Sequence, residues 1–349
     1  MPRENEPRET ILEPDLPIVD PHHHLWDRFA PPPATPGVPE HPLAEVMRRS
    51  PRYLMHELAA DTNSGHNIIA TVFVQCGAMY RASGPEDMKV VGETEFVNGV
   101  AAMAASGIYG KTLACHGIVS HVPLSLGDGA AKVLEAHIAA GNGRFRGIRD
   151  IGAYDPDPEV LGALNHPAGL YRDSKFREGF KHLAKLGLSF DAWLIEPQIG
   201  DLTDLAHAFP NTKIVLDHVG TPSGRGRFTG TQKERFPIWA QSIKELAKNP
   251  NVYVKLGGLA MAFCNFPTYA KKNASSQELA DEWRPYVETC IEAFGAKRAM
   301  FESNFPVDEP CCSYATLWNT FKRLASGASK EDKAALFAGA ASDFYRLEL

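Results

Sequence analysis

The chain has no run of apolar residues long enough to span a bilayer. Its first stretch, Met1 to Pro17, is charged and proline-bearing and lacks the apolar core of a secretory signal, so a cytoplasmic location is expected. Excess positive charge is missing too. Lys and Arg number 36 against 42 Asp and Glu, a net charge of −6, which offers no general attraction to phosphate backbones or anionic lipid and sets nucleic acid and membrane aside as partners. Cysteine is sparse: Cys76, Cys115, Cys264, Cys290, Cys311 and Cys312 are scattered without CxxC spacing, and a chain of 349 residues needs no staples, so free, buried thiols are expected. Also missing are an internal repeat, a Ser/Gly-rich linker and any low-complexity tract beyond Pro31 to Pro33. These absences favour one domain over residues 17–349, preceded by an N-terminal extension over 1–16.

What is present is a composition of 44% hydrophobic and 22% charged residues, enough for a large core. Short β-branched runs alternate with longer helical patterns, and the alternation occurs eight times. The predicted strands are Pro17 to Pro21, Ile68 to Gln75, Thr112 to Val119, Phe145 to Arg149, Ser189 to Ile195, Lys213 to Asp217, Val252 to Leu256 and Ala299 to Glu302. Helical patterns cover Glu93 to Ala105, Ala130 to Ala140, Lys175 to Leu186, Leu202 to Phe209, Lys233 to Lys248 and Glu278 to Phe294, and two closing helices follow at Tyr314 to Leu324 and Lys330 to Tyr345. Eight such units without a change of composition favour an α/β fold of the (β/α)8 TIM-barrel type over a doubly wound sheet. The proline-rich Asp27 to Ser50 and the glycine-rich Thr221 to Gly230 are long enough to be covers over the carboxyl ends of the strands.

In such a barrel, chemistry gathers at those carboxyl ends. After the first strand, "PHHHLW" places His22 and His24 on one face and His23 on the other, because side chains alternate in extended chain. Other strands run into Gln75, His116, His121, Arg149, Glu196, Asp217, His218, Lys255, Glu302, Asn304 and Asp308. Imidazole and carboxylate together suit a divalent ion, zinc first, with manganese or iron as alternatives. His22, His24, Glu196 and His218 form such a set. His116, Gln75, Lys255 and Arg149 are read as substrate contacts, with a buried salt-bridge partner as the alternative for Lys255. His121 and Arg149 would clamp a carboxylate, which the planar guanidinium suits.

The opening "VDPHHHLWD" is similar to the D-x-H-x-H-x-W-D start of the amidohydrolase-related barrels, which include lactonases of the fuconolactonase and 2-pyrone-4,6-dicarboxylate hydrolase kind and some nonoxidative decarboxylases. "FDAWLIEPQIGDLTDLAHAFPNTKIVLDHVG" resembles the fifth and sixth strands of that family, and "VYVKLGGL" with "RAMFESNFPVD" its seventh and eighth. The resemblance runs in order from Pro17 to the C-terminus. It implies metal ligation by His22, His24 and His218, and a substrate-holding role for Arg149. Two positions depart from the pattern: "ESNFP" offers Asn304 where the family usually has an aspartate, and Glu196 stands where many relatives have histidine. An amide cannot take a proton from water at neutral pH, so Asp308 is the expected base, with Glu302 or Glu196 as alternatives, and Asn304 a positioner of water. The expected function is metal-dependent hydrolysis of a small carboxylate-bearing lactone or cyclic ester. A decarboxylase, an oxygen-activating dinuclear enzyme, or a catalytically silent subunit partnering a homologue are the alternatives, and assembly with itself or with a homologous subunit stays open.

Overall fold

The computed structural model describes residues 9–29, 31, 41–271 and 273–349. Eight strands form one sheet in chain order: β1 (Pro17–His23), β2 (Asn67–Val74), β3 (Leu113–Ser120), β4 (Phe145–Ile151), β5 (Ser189–Trp193), β6 (Ile214–Leu216), β7 (Val252–Leu256) and β8 (Ala299–Phe301). All seven neighbouring pairs are parallel. The seam between β1 and the end of β8 is joined by a parallel bridge from His23 to Phe305. There the His24 amide donates to the Phe305 carbonyl and the Asn304 amide to the His22 carbonyl, both at 2.8 Å. The architecture is a (β/α)8 barrel, as the alternation of the sequence predicts.

The helices Ala130–Ala140 and Tyr314–Leu324 match the sequence reading to the residue, and the others shift by one to three residues at an end. Ser174–Lys185 shows why they form. Asp173 caps the first turn by accepting from the Phe176 amide at 2.8 Å. Phe176, Phe180 and Leu183 then recur at helical spacing to bury one face. Phe180 lands 5.0 Å from Phe190 of β5, ring centre to ring centre. The final helix departs from expectation: Lys330 to Tyr345 is broken by a wide turn at Ala335–Gly339. Before the turn's end, Phe337 packs on Phe301 in the outer layer, whereas Phe344, after it, packs on Tyr253 inside the barrel. The break lets one segment serve two cores.

Inside the barrel, residues alternate by strand parity. Val19, Val72, Val119, Val215, Tyr253 and Met300 form an apolar plug with Phe344 and Tyr345 at the amino end. Two positions further along three of those strands come Asp217, Lys255 and Glu302, all fully buried. A charged layer therefore sits directly over an apolar one.

The N-terminal segment from Glu9 is tied down. Asn319 accepts from the Leu12 amide at 2.9 Å, and the Lys322 ammonium donates to the carbonyls of Leu12 and Glu13 at 2.7 and 2.8 Å. Part of the expected cover at Asp27 to Ser50, residues 30 and 32–40, lies outside the described residues, and the rest includes the helix Ala44–Arg49. In the other cover, Arg227 is held in a fork by Asp155 at 2.9 and 2.7 Å. Among the described residues no helix is long and apolar enough to cross a membrane.

Candidate metal centre and active site

Two segments of the chain bring three imidazoles together. His22 and His24 leave β1 on the same side, their ring centres 4.9 Å apart, while His23 turns into the barrel wall, its Nε2 2.9 Å from the Thr71 hydroxyl. After β6 the backbone enters the left-handed region at His218 (φ 56°) and remains there through Val219 (φ 48°), Gly220 and Thr221. Such a run is costly for side-chain-bearing residues and is found where surrounding structure imposes it. Its effect is to swing His218 across the barrel mouth to 4.7 Å from His22. Gly258 leaves room for it, since a Cβ there would lie 2.4 Å from the His218 ring.

Each ring has its Nδ1 against an oxygen. His22 meets Glu302 Oε2 at 2.7 Å, His218 meets Glu302 Oε1 at 2.6 Å, and His24 meets the Val74 carbonyl at 2.8 Å. With Nδ1–H donating to these acceptors, His24 and His218 each keep an Nε2 lone pair, the tautomer a metal ligand needs, whereas His22 has the Lys255 ammonium 3.0 Å from its Nδ1 and an Arg149 N–H 3.3 Å from its Nε2. Burial, and behind it the nearby cations, holds His22 and His24 well below the usual imidazole range, so both are neutral. His24 Nε2 faces Asn304 Oδ1 at 3.2 Å, and Asn304 Nδ2 donates to Asp308 Oδ1 at 2.7 Å. Two acceptors face each other across that short gap, an arrangement a cation or a water relieves. His22, His218 and Glu302 each offer a donor atom within 4.8 Å of the others, so this group could hold a metal ion.

Beneath lies the charged layer. The Lys255 ammonium is 2.7 Å from Asp191, 3.0 Å from Asp217 and 3.0 Å from His22 Nδ1. Arg149 stands 3.7 Å from Asp217 and 3.3 Å from His22 Nε2, and a further N–H goes to the Gln75 carbonyl. Burial alone would push Lys255 down, but Asp191, Asp217 and Glu302 outweigh it and hold it up. Asp217 is likewise driven up by burial and overruled by Lys255, ending below the ordinary carboxylate range. Two fixed cations against three carboxylates leave the cluster one negative charge in excess, so the donor set and its electrostatics fit a divalent ion.

Above this floor is a cavity of about 230 Å³. His24, His218, Asn304, Arg149 and Gln75 line it, all buried. Other expected site residues stand elsewhere. Glu196 is ion-paired with Arg235 of the helix Gln232–Ala247, not with the histidines, and Glu302 occupies the position next to them. His116 is turned to the tail, 2.9 Å from the Glu348 carbonyl. His121 rests on the Arg149 carbonyl at 3.2 Å and does not line the cavity. Lys255 is beneath the floor, in the salt-bridge role that was its alternative reading. Asp308 sits behind Asn304, accepting from Asn304 and, at 3.3 Å, from the Ala260 amide, and burial pushes its carboxyl well above the usual range. Both of its oxygens are thus engaged, and Asp308 is not among the described residues that line the cavity.

The sequence places Glu302 among the polar strand ends and as an alternative base, not beside the imidazoles, and gives no signal for Arg28 and His41, which also line the cavity. Parity with Met300 would have pointed Glu302 inward. Arg28 and His41 come from the irregular cover, where no periodicity guides the eye.

A family model described as amidohydrolase matches residues 19–347. The chain belongs to the amidohydrolase family. It is 34% identical over 336 residues, 95% of this chain and 99% of the relative, to the uncharacterized protein y4mH of Sinorhizobium fredii. An L-fucono-1,5-lactonase of Burkholderia ambifaria is 27% identical over 168 residues, 46% of this chain and 51% of that enzyme. Among solved structures, an amidohydrolase from Burkholderia multivorans with bound zinc superimposes with a TM-score of 0.69 at 22% identity, covering 95% of this chain and 99% of that one, a likeness of fold. As a member of this amidohydrolase family, the protein is an enzyme with lactonase-like relatives.

Proposed function

We propose that this amidohydrolase opens a small carboxylate-bearing lactone or cyclic ester with the help of a divalent ion, zinc first. The carrying observation is the meeting of three imidazoles beside Glu302, two of which, His24 and His218, are anchored through Nδ1 and line the cavity. His22, His24 and His218 would hold the ion, with Glu302 fixing two of the rings and supplying negative charge. His24 and His218 line the cavity, with Asn304 Oδ1 3.2 Å from His24 Nε2, while His22 shares its Nε2 with Arg149. Bound there, a divalent ion polarises an ester carbonyl and lowers the pKa of water. Both the zinc in the structural neighbour and the lactonase activity of the Burkholderia relative support this reading.

The chain's own groups do the rest. Asn304, pinned by Asp308, directs its carbonyl oxygen at the cavity and orients the attacking water. Arg149 keeps a buried Nε–H without a hydrogen-bond partner among the described residues, and that donor is directed to a substrate oxygen. In the overall hydrolysis, water adds to the acyl carbon and its proton ends on the ring oxygen that leaves as a hydroxyl.

The test is elemental analysis of purified protein with lactone hydrolysis measured by acid release, before and after His22→Ala with His24→Ala. About one metal per chain, lost together with activity, is expected. Unchanged turnover in the metal-stripped double variant would overturn the proposal, and carbon dioxide release without acid from a lactone would replace hydrolysis with decarboxylation.

A further inference from the structure

The cavity's walls are chemically unlike its floor. Trp26 and Trp193 line it, and each indole has already given away its single N–H: Trp26 Nε1 donates to the Ser50 carbonyl at 2.7 Å and Trp193 Nε1 to the Thr221 hydroxyl at 3.1 Å. What they present to a ligand is ring surface alone. Between them stand Met47, Leu164, Met261 and Phe263, with Phe263 edge-on to Trp193 at 5.3 Å. A hydroxyl pressed against these walls gives up its water and finds no partner, which costs on the order of tenfold in affinity for each stranded group.

Charge on the lining has one sign. Among the described residues that line it, none is aspartate or glutamate, while Arg28 and Arg149 are cationic. Arg149 belongs to the buried floor, whereas Arg28 and His41 are only half-buried and form the rim. The Arg28 guanidinium sits 5.3 Å from the Trp26 ring centre and donates to the Cys76 carbonyl, which fixes it in place. His41 accepts the Leu43 amide at Nδ1 (3.1 Å), so its Nε2 carries the proton and is a donor. An anion at the rim thus meets a guanidinium and an N–H donor, and the described lining adds the apolar side chains of Leu43, Met47, Leu164 and Met261.

We infer that the substrate is an amphiphile: a lactone or cyclic ester with a hydrocarbon body, aromatic or alicyclic, and an anionic group held at the rim by Arg28 and His41, not a polyhydroxylated sugar lactone. This rests on the hydrolase reading above and departs from the sugar-lactone specificity in the Burkholderia relative's name.

The test separates ligand class from chemistry. Binding of two non-reacting acids, 4-phenylbutyrate and gluconate, is measured on the purified protein by calorimetry and tryptophan quenching. 4-Phenylbutyrate is expected to bind at least about a hundredfold tighter, from two or more stranded hydroxyls in gluconate. Arg28→Gln weakens 4-phenylbutyrate about tenfold and leaves its neutral amide unchanged, and Arg28→Lys recovers part of the loss. Equal or tighter gluconate binding, no binding of either acid, or an Arg28→Gln variant that binds 4-phenylbutyrate normally overturns the inference. Hydrolysis of an aryl-substituted lactone and of gluconolactone is assayed in parallel. Preference for gluconolactone keeps the hydrolase and discards the ligand class, whereas tight 4-phenylbutyrate binding without any ester cleavage does the reverse.

Discussion

The barrel interior has two halves with opposite chemistry. At the amino end, Val19, Val72, Val119, Val215 and Met300 are sealed by Phe344 and Tyr345. At the carboxyl end, the next layer holds Lys255, Asp191, Asp217 and Glu302 under three histidines. Both are fully buried, so burial does not distinguish core from site. Hydrocarbon burial stabilises the lower half by roughly 1.5–3 kcal/mol per large side chain. Ion pairs in the upper half return little net stability, because desolvation consumes most of the attraction. On the proposed reading its value lies in holding the imidazole rings and a guanidinium where a ligand meets them.

The sharpest way to break the contrast is Glu302→Gln. It removes the carboxylate that stands against both His22 and His218, and kcat/KM is expected to fall by about 10- to 100-fold with the circular dichroism of the native fold retained. Loss of bound metal, followed by elemental analysis, should accompany it. Next is Lys255→Met, which strands Asp191 and Asp217 together and should lower unfolding stability in urea by about 3–5 kcal/mol. Phe344→Ala in the lower half should cost a comparable 3–4 kcal/mol through the cavity it leaves, yet the folded fraction should keep its kcat/KM within about twofold. Equal activity losses from Phe344→Ala and Glu302→Gln would mean that the two halves do not divide the labour.

Tyr345 is the one described residue of the plug whose hydroxyl reaches Asp191, at 2.6 Å, and so links the layers. Burial pushes Asp191 up to about 6, with Lys255 and Tyr345 pulling the other way. A carboxyl raised on folding contributes stability at acid pH that is lost as pH climbs from its unfolded value, near 4, through the folded one. Tyr345→Phe removes a donor to the ionised form, raises Asp191 further and should enlarge this loss between about pH 4 and 7. The expected change near pH 7 is about 1 kcal/mol, and a pH-stability curve parallel to the wild type would rule out this coupling.

Much of this organisation was legible in the residues. Strand periodicity exposed all eight strands, and the spacing of His22 and His24 put two rings on one face because alternation is a local property. Partnership across the barrel is not local. Glu196 looked like a ligand at the end of β5, but Arg235, almost forty residues further on in a helix, claims it. Asp308 looked like a base four residues after Asn304, but the turn folds it beneath the amide. The break in the last helix was hidden because Ala335 to Gly339 has ordinary helical composition, and only the demands of two cores reveal it.

The seam between the first and last strands has a consequence for synthesis. His22 and Asn304 share a backbone hydrogen bond, so residues at opposite ends of the chain form the same wall. A ribosome adding about 5–20 residues per second must run for at least about 14 s after making the first imidazole before the asparagine exists. During that interval the nascent protein holds part of the proposed metal-binding set with nothing to close it, and no fragment released early can possess the finished centre.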